Sequence, residues 1–107
     1  MTMRITQING TNMELTEAIK ARVEKRLSSL EKFCLDIEPC DVAVDVGKTT
    51  KGQNKGKIFR AEFNLTVPGT LLRAETVAED LYVAIDLASK DLKRQVKEYR
   101  KKHKQHK

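Results

Sequence analysis

Residues 41–46 alternate without a break: Val42, Val44 and Val46 share one side and Asp41, Ala43 and Asp45 the other. Residues 59–67 repeat the pattern with Phe59, Ala61, Phe63, Leu65 and Val67. Side chains in a strand point to opposite faces in turn, so both segments read as strands with one apolar and one polar face. A sheet built from them has a single face to bury, and the rest of the chain must supply its cover.

Two further strands and two helices are legible around this pair. Residues 3–8 read as a short first strand, with Asn9-Gly10 breaking it. Pro68-Gly69 is a turn, and Leu72 and Ala74 fall in a strand around 71–76. The first helix is expected over 17–33, with Thr16 as N-cap and Glu17 at the positive end of its dipole. Ile19, Val23, Leu27, Leu30 and Cys34 recur at helical steps and form its apolar face. Residues 35–40 connect it to the second strand. The last helix is expected from near Asp80 to about 102, with Leu81, Ile85, Ala88, Leu92, Val96 and Tyr99 as its core stripe. The order is β-α-β-β-β-α. The simplest packing is an α+β two-layer sandwich, a four-stranded mixed sheet with two helices on one face, the first two strands parallel through a right-handed crossover.

The charge is distributed unevenly. The 107 residues carry a formal net charge of +6, yet the segment from Lys90 to Lys107 alone holds nine Lys or Arg and two acids. On the last helix Lys90, Lys93, Lys97, Arg100, Lys101 and Lys104 fall together on a face nearly opposite the core stripe, with Arg94 at its edge. On the first helix Arg22, Lys25, Arg26 and Lys32 gather on one flank and Glu17, Glu24 and Glu31 on the other. A third basic segment, residues 47–57, contains Lys48, Lys51, Lys55 and Lys57 and no acid. Its bland reading is a flexible hairpin tip, and its functional reading is a tip that grips phosphate. It is not a P-loop, because Gly56-Lys57 is followed by Ile58.

Lys and Arg near a helix C-terminus complement its dipole without any ligand. That accounts for two or three residues, whereas like charges on adjacent turns repel. A polyanionic partner offsets that repulsion, and nucleic acid fits better than membrane. Membrane binding needs an exposed apolar strip beside the basic one, and no apolar run approaches the length of a membrane span. Asp86, a lone acid among bases, is expected to pair locally with Lys90.

Catalysis finds little support. His103 and His106 lie in a Lys-rich tail, where a general base lacks a fixed partner, and they fall short of a zinc ligand set. Cys34 and Cys40 form no CxxC motif and no secreted disulfide framework, and Cys34 reads as a buried structural thiol. No metal or cofactor is expected.

The segments MTMRIT, LTEAIKARVEKRLSSLEKF, LLRAE and EDLYVAIDLASKDLKRQVKEYRKK closely resemble the ribosome hibernation-promoting factors in their short form, a group that includes the ribosome-associated inhibitor and has also been labelled sigma-54 modulation protein. The resemblance covers about 1–102. It implies the same β-α-β-β-β-α fold and a ribosome-binding domain over 1–102, followed by a basic tail at 103–107. It further implies docking on the small ribosomal subunit near the decoding site, with its ribosomal RNA as partner, and steric block of messenger and transfer RNA. Arg94 falls where the family also carries Arg. Leu81 stands where Met is usual, a swap of similar volume. Long members carry a C-terminal domain that pairs ribosomes, so a second hibernation factor is the expected partner for any such pairing, and the chain itself is expected to be a cytoplasmic monomer.

The RNA-binding nominees are Arg22, Lys25, Arg26, Lys32, Lys48, Lys51, Lys55, Lys90, Lys93, Arg94, Lys97, Arg100 and Lys101. Two alternatives stand beside this reading. One is a protein-binding modulator of sigma-54-dependent transcription, using the acidic flank Glu17, Glu24 and Glu31. The other is a generic structured-RNA-binding module. A double-stranded-RNA-binding domain is layered similarly but places lysines at the start of its final helix, where this chain has Glu79-Asp80.

Overall fold

The structure, a computed structural model, describes residues 3–50 and 56–103. Its elements run β1 (Arg4–Thr11), α1 (Glu17–Ser28), a 3-10 turn (Glu31–Phe33), β2 (Asp41–Lys48), β3 (Phe59–Val67), β4 (Thr70–Ala78) and α2 (Leu81–Lys102). The four strands lie in sequence order, with β1 parallel to β2 and the other two pairs antiparallel. This is the expected mixed sheet with two helices packed on it.

Alternation decides which side chains are buried. Val42, Val44 and Val46 of β2 and Ala61, Phe63, Leu65 and Val67 of β3 are at most 2% exposed. They meet Ile19, Val23 and Leu27 of α1 and Ala84, Ile85, Ala88, Leu92 and Val96 of α2 in one continuous core. Each fully buried side chain of this size contributes roughly 1.5–3 kcal/mol of hydrophobic stabilisation.

α2 is a helix of 22 residues, about 33 Å long. Asp80 caps its start, its carboxylate accepting from the Tyr82 amide at 2.7 Å and the Val83 amide at 3.3 Å. Three polar contacts pin it to the β3–β4 hairpin: Thr76 Oγ1 donates to the Ala84 carbonyl at 2.7 Å, Gln95 Nε2 to the Arg73 carbonyl at 2.8 Å, and the Tyr99 hydroxyl to the Pro68 carbonyl at 2.8 Å.

Element boundaries depart from the sequence reading in three places. β1 continues through Asn9-Gly10 to Thr11, because Asn9, Gly10 and Thr11 pair with Asp45, Val46 and Gly47 of β2. Ladder pairing there overrides the local turn signal. β4 likewise extends to Ala78, since Val77 and Ala78 face Arg60 and Phe59. α1 stops at Ser28 instead of continuing to residue 33. The Ser28 and Ser29 hydroxyls donate back to the Lys25 and Arg26 carbonyls, at 2.8 and 2.7 Å, which offers the backbone an alternative to another helical turn. Cys34 is still fully buried, delivered by the 3-10 turn rather than by the helical face.

The face of the sheet away from the helices carries a self-compensated network of charges, with Leu71 and Val77 of β4 exposed beside it. Arg60 and Arg73 each bind both Glu62 and Glu75, and Arg4 pairs with Asp41 at 3.2 Å. Burial works against ionisation of Glu62, but the hydrogen bond from Arg73 and the charge of Arg60 outweigh it, and its carboxyl lies below the usual 4.5. A depressed carboxyl contributes stability that is complete above its unfolded value and is lost as pH falls through the folded one. Urea unfolding as a function of pH is therefore expected to show stability declining below about pH 4.5 in the wild type, with a shallower decline in Glu62→Gln.

Two glycines serve different ends. Gly47 sits against β1 so closely that a Cβ there would lie 2.0 Å from the Thr11 carbonyl oxygen. Gly69, at φ +83, occupies the position of a Pro-Gly type II turn that needs a left-handed residue, with open space around it. Gly47→Ala must part the β1–β2 pair and is expected to cost about 1–3 kcal/mol, whereas Gly69→Ala costs about 1 kcal/mol of backbone strain. Chemical denaturation of the two variants checks this order.

Candidate nucleic-acid interface

The polar flanks of α1 and α2 lie side by side on the outer surface. Asp86 joins them. Its carboxylate accepts from Arg22 Nη1 at 3.0 and 3.1 Å and from Arg26 Nε at 2.8 Å. The Arg22 guanidinium also lies 4.9 Å from the centroid of the Tyr82 ring. Asp86 therefore pairs across the helix interface and not with Lys90 as its spacing predicts. Two bidentate-capable guanidiniums outcompete one mobile ammonium for a single carboxylate.

The arginines and lysines on this surface divide sharply. Arg94 is held by Asp91 at 2.7 Å and Glu98 at 3.1 Å. Arg100 donates to Asp36 at 2.6 Å and to the Phe33 carbonyl at 2.9 Å, and that hydrogen bond holds the Asp36 carboxyl below its usual range. All four arginine nominees thus have carboxylate partners. By contrast Lys25, Lys32, Lys90, Lys93, Lys97 and Lys101 have none among the described residues. Lys93 is half-buried and the other five are exposed. The outward basic platform expected from the sequence is present as lysines, while the arginines, Arg94 included, are engaged in ion pairs.

Lys93 and Lys97 of α2 and Lys32 from the 3-10 turn converge on one aromatic ring. Their ammonium groups lie 5.6, 5.3 and 5.4 Å from the centroid of Phe33. The ring's negative face attracts cations and so brings together side chains that otherwise repel. Lys48 is separate from this group, half-buried at the end of β2 and 5.9 Å from the Phe59 ring. Lys51 and Lys55 lie outside the described residues, as do Lys104 and His106. His103 stacks on Tyr99 with centroids 4.2 Å apart.

Phe33, Tyr82, Asp36 and Asp86 organise this surface and were not among the sequence nominees. Only Asp86 carried a signal, as a lone acid in a basic stretch. The others act across sequence separations of about 60 residues, which no local periodicity reveals.

Cys34 and Cys40 are both buried and unoxidised, and their thiols interact. The hydrogen bond from Cys40 lowers the Cys34 thiol, and the same contact with burial pushes Cys40 up. Among the described residues no group of three His, Cys, Asp or Glu is placed to hold a metal, and no helix is long and apolar enough to cross a membrane.

A profile of the family described as sigma 54 modulation protein / S30EA ribosomal protein matches residues 6–104. The chain belongs to this family. A Deinococcus radiodurans protein named ribosome hibernation promotion factor is 34% identical over 101 residues, which are 94% of this chain and 51% of that one. The protein of the same name from Bacillus subtilis is 35% identical over 95 residues, 89% of this chain and 48% of its own. The chain spans about half the length of these curated relatives. The N-terminal domain of Thermus thermophilus Protein Y superposes with a TM-score of 0.76 at 37% identity, covering 91% of this chain and 99% of that structure. A ribosomal subunit interface protein from Coxiella burnetii shares the fold, with a TM-score of 0.74, 19% identity and coverage of 92% and 98%. The family is non-enzymatic.

The Asp86 bridge gives a direct test of how the two helices are joined. The side chains are about one third exposed, so solvent screening discounts the pair, and a double-mutant cycle of Asp86→Asn with Arg26→Gln is expected to give a coupling of about 1 kcal/mol in urea unfolding.

Proposed function

We propose that this chain is a ribosome hibernation factor: it binds ribosomal RNA of the small subunit near the decoding site and idles translation by occupying space that messenger and transfer RNA require. The observation that carries the reading is the set of six lysines on the helical face with no described carboxylate partner. Within the described residues no carboxylate neutralises them, the Phe33 ring offsetting the repulsion of only three, and phosphate oxygens neutralise them on docking. Family membership and the hibernation-factor name of the D. radiodurans and B. subtilis relatives support ribosomal RNA as that polyanion.

In this reading the lysines supply long-range attraction and most phosphate contacts. The arginines have a second role. Arg22, Arg26 and Arg100 join α1, α2 and the 31–36 segment into a rigid surface, so the lysine-bearing elements are ordered before RNA arrives. The sheet behind them provides the bulk that excludes other ligands. A cytoplasmic, ribosome-associated location follows, with any pairing of ribosomes left to a second factor. The nominated hairpin lysines Lys48, Lys51 and Lys55 extend the contact if that segment reaches RNA. The acidic flank that favours a transcriptional partner is the weaker candidate, because Glu17 there is already paired with Lys20 at 3.6 Å.

If about six phosphates are neutralised, affinity for small subunits is expected to fall by about three orders of magnitude from roughly 50 to about 200 mM salt, by analogy with duplex DNA. The double reversal Lys90→Glu with Lys93→Glu should weaken binding by at least about tenfold and reduce the salt slope. The same change at Arg94, already neutralised within the protein, should cost less. Co-sedimentation with purified small subunits at two salt concentrations measures both effects, and binding that ignores salt and these reversals contradicts the proposal.

A further inference from the structure

Beside the lysine cluster at Phe33 lies an open cleft of about 450 Å³, between the 3-10 turn, the β3–β4 turn and the last turns of α2. Phe33, Ile37, Pro68 and Tyr99 give it an apolar wall, and Lys97 and Lys101 stand on its rim. Phe33 and Lys97 belong to both features: the ring that lines the cleft is also the ring that collects the three ammonium groups.

We propose that the cleft and the lysine cluster form one nucleotide site, with a base in the apolar cleft and its phosphate among Lys32, Lys93 and Lys97. The inference deepens the RNA-binding reading and rests on it, but it asks for something a diffuse basic surface does not supply, namely recognition of the base. Four observations carry it. The volume falls in the range of small-molecule sites, roughly 300–1,000 Å³. The wall offers an aromatic ring, and base–aromatic stacking tolerates any base because every base has a π-face. Three ammonium groups lie within 6 Å of that ring, and none has a carboxylate partner among the described residues. The one carboxylate lining the cleft, Asp36, is occupied by Arg100 and so does not repel an incoming phosphate.

The site is also held in shape without a ligand. The Arg100 hydrogen bond to the Phe33 carbonyl fixes the 3-10 turn against α2, and the Tyr99 hydroxyl fixes the helix end against Pro68. Apolar wall and cationic rim therefore keep their spacing, which lowers the ordering cost of binding. The shared chemistry is a nucleotide unit, whether free or part of an RNA strand.

The test is a nuclear magnetic resonance titration of the isolated chain with three probes: adenosine diphosphate, inorganic pyrophosphate and a short single-stranded RNA. Because no ribosome is present, its outcome is independent of the co-sedimentation result. A nucleotide site requires the phosphate-bearing probes with a base to shift Ile37 and Tyr99 resonances, which pyrophosphate leaves in place, while Phe33, whose ring holds the three lysines, responds to every probe. Adenosine diphosphate should bind more tightly than pyrophosphate if the free nucleotide is the source. RNA alone shifting these resonances assigns the site to an unstacked nucleotide of a strand. Lys97→Gln should raise Kd about tenfold, the loss of one charge-assisted contact. Phe33→Leu should abolish the advantage of base-bearing probes while the lysine shifts persist. Lys32→Gln, on an exposed side chain, provides a weakened site without touching the core, should Phe33→Leu fold poorly. If no base-bearing probe moves Ile37 or Tyr99, or if all three probes bind alike, the cleft is not a nucleotide site.

Discussion

A sheet whose apolar side chains all project from one face can be buried only by elements laid on that face. From this constraint the rest of the molecule follows. Val42, Val44, Val46, Ala61, Phe63 and Leu65 are covered by α1 and α2, so both helices spend one stripe on the core and turn the opposite stripe outward. The outward stripes carry Lys25, Lys90, Lys97 and Lys101. Burial of the core and presentation of positive charge are thus consequences of the same periodicity, read on opposite sides of the same two helices. The outer face of the sheet, with its mutually paired charges, completes the separation.

Electrostatics within the helical surface depend on which cation is used. Guanidinium is planar, with donors in a fork that matches carboxylate, and it is found here in Arg22–Asp86, Arg26–Asp86, Arg94–Asp91 and Arg100–Asp36 pairs. Ammonium is a compact charge on a flexible stem, and seven of the nominated lysines, Lys48 included, remain outside such pairs among the described residues. Arg22, Arg26 and Arg100 thereby join separate elements and Arg94 pairs within α2, whereas these lysines have no carboxylate partner among the described residues. A tally of basic residues in the sequence treats the two alike, and so it counts Arg94 as available when Asp91 and Glu98 already neutralise it.

What could be read from the chain were the features with short-range periodicity. Alternation placed β2 and β3, helical spacing placed the α2 core stripe, and the order of elements implied the mixed sheet. Boundaries failed where a partner strand or a competing hydroxyl decided them, as at Asn9-Gly10 and Ser28–Ser29. In the candidate site, the basic flanks were legible and their internal bookkeeping was not. Asp86 was assigned to Lys90 one turn away, whereas the fold brings up Arg22 and Arg26 from a distant segment. Phe33 had no signal at all, because its role as a collector of lysines exists only once the turn and α2 are side by side.

The quartet of Arg60, Glu62, Arg73 and Glu75 on the outer face of the sheet satisfies itself. A small protein cationic on every side would act as glue, bridging separate polyanions and condensing them. Here the four charges of the quartet cancel, so among the described residues the back of the sheet adds no unpaired cationic patch to set against the lysines of the helical side.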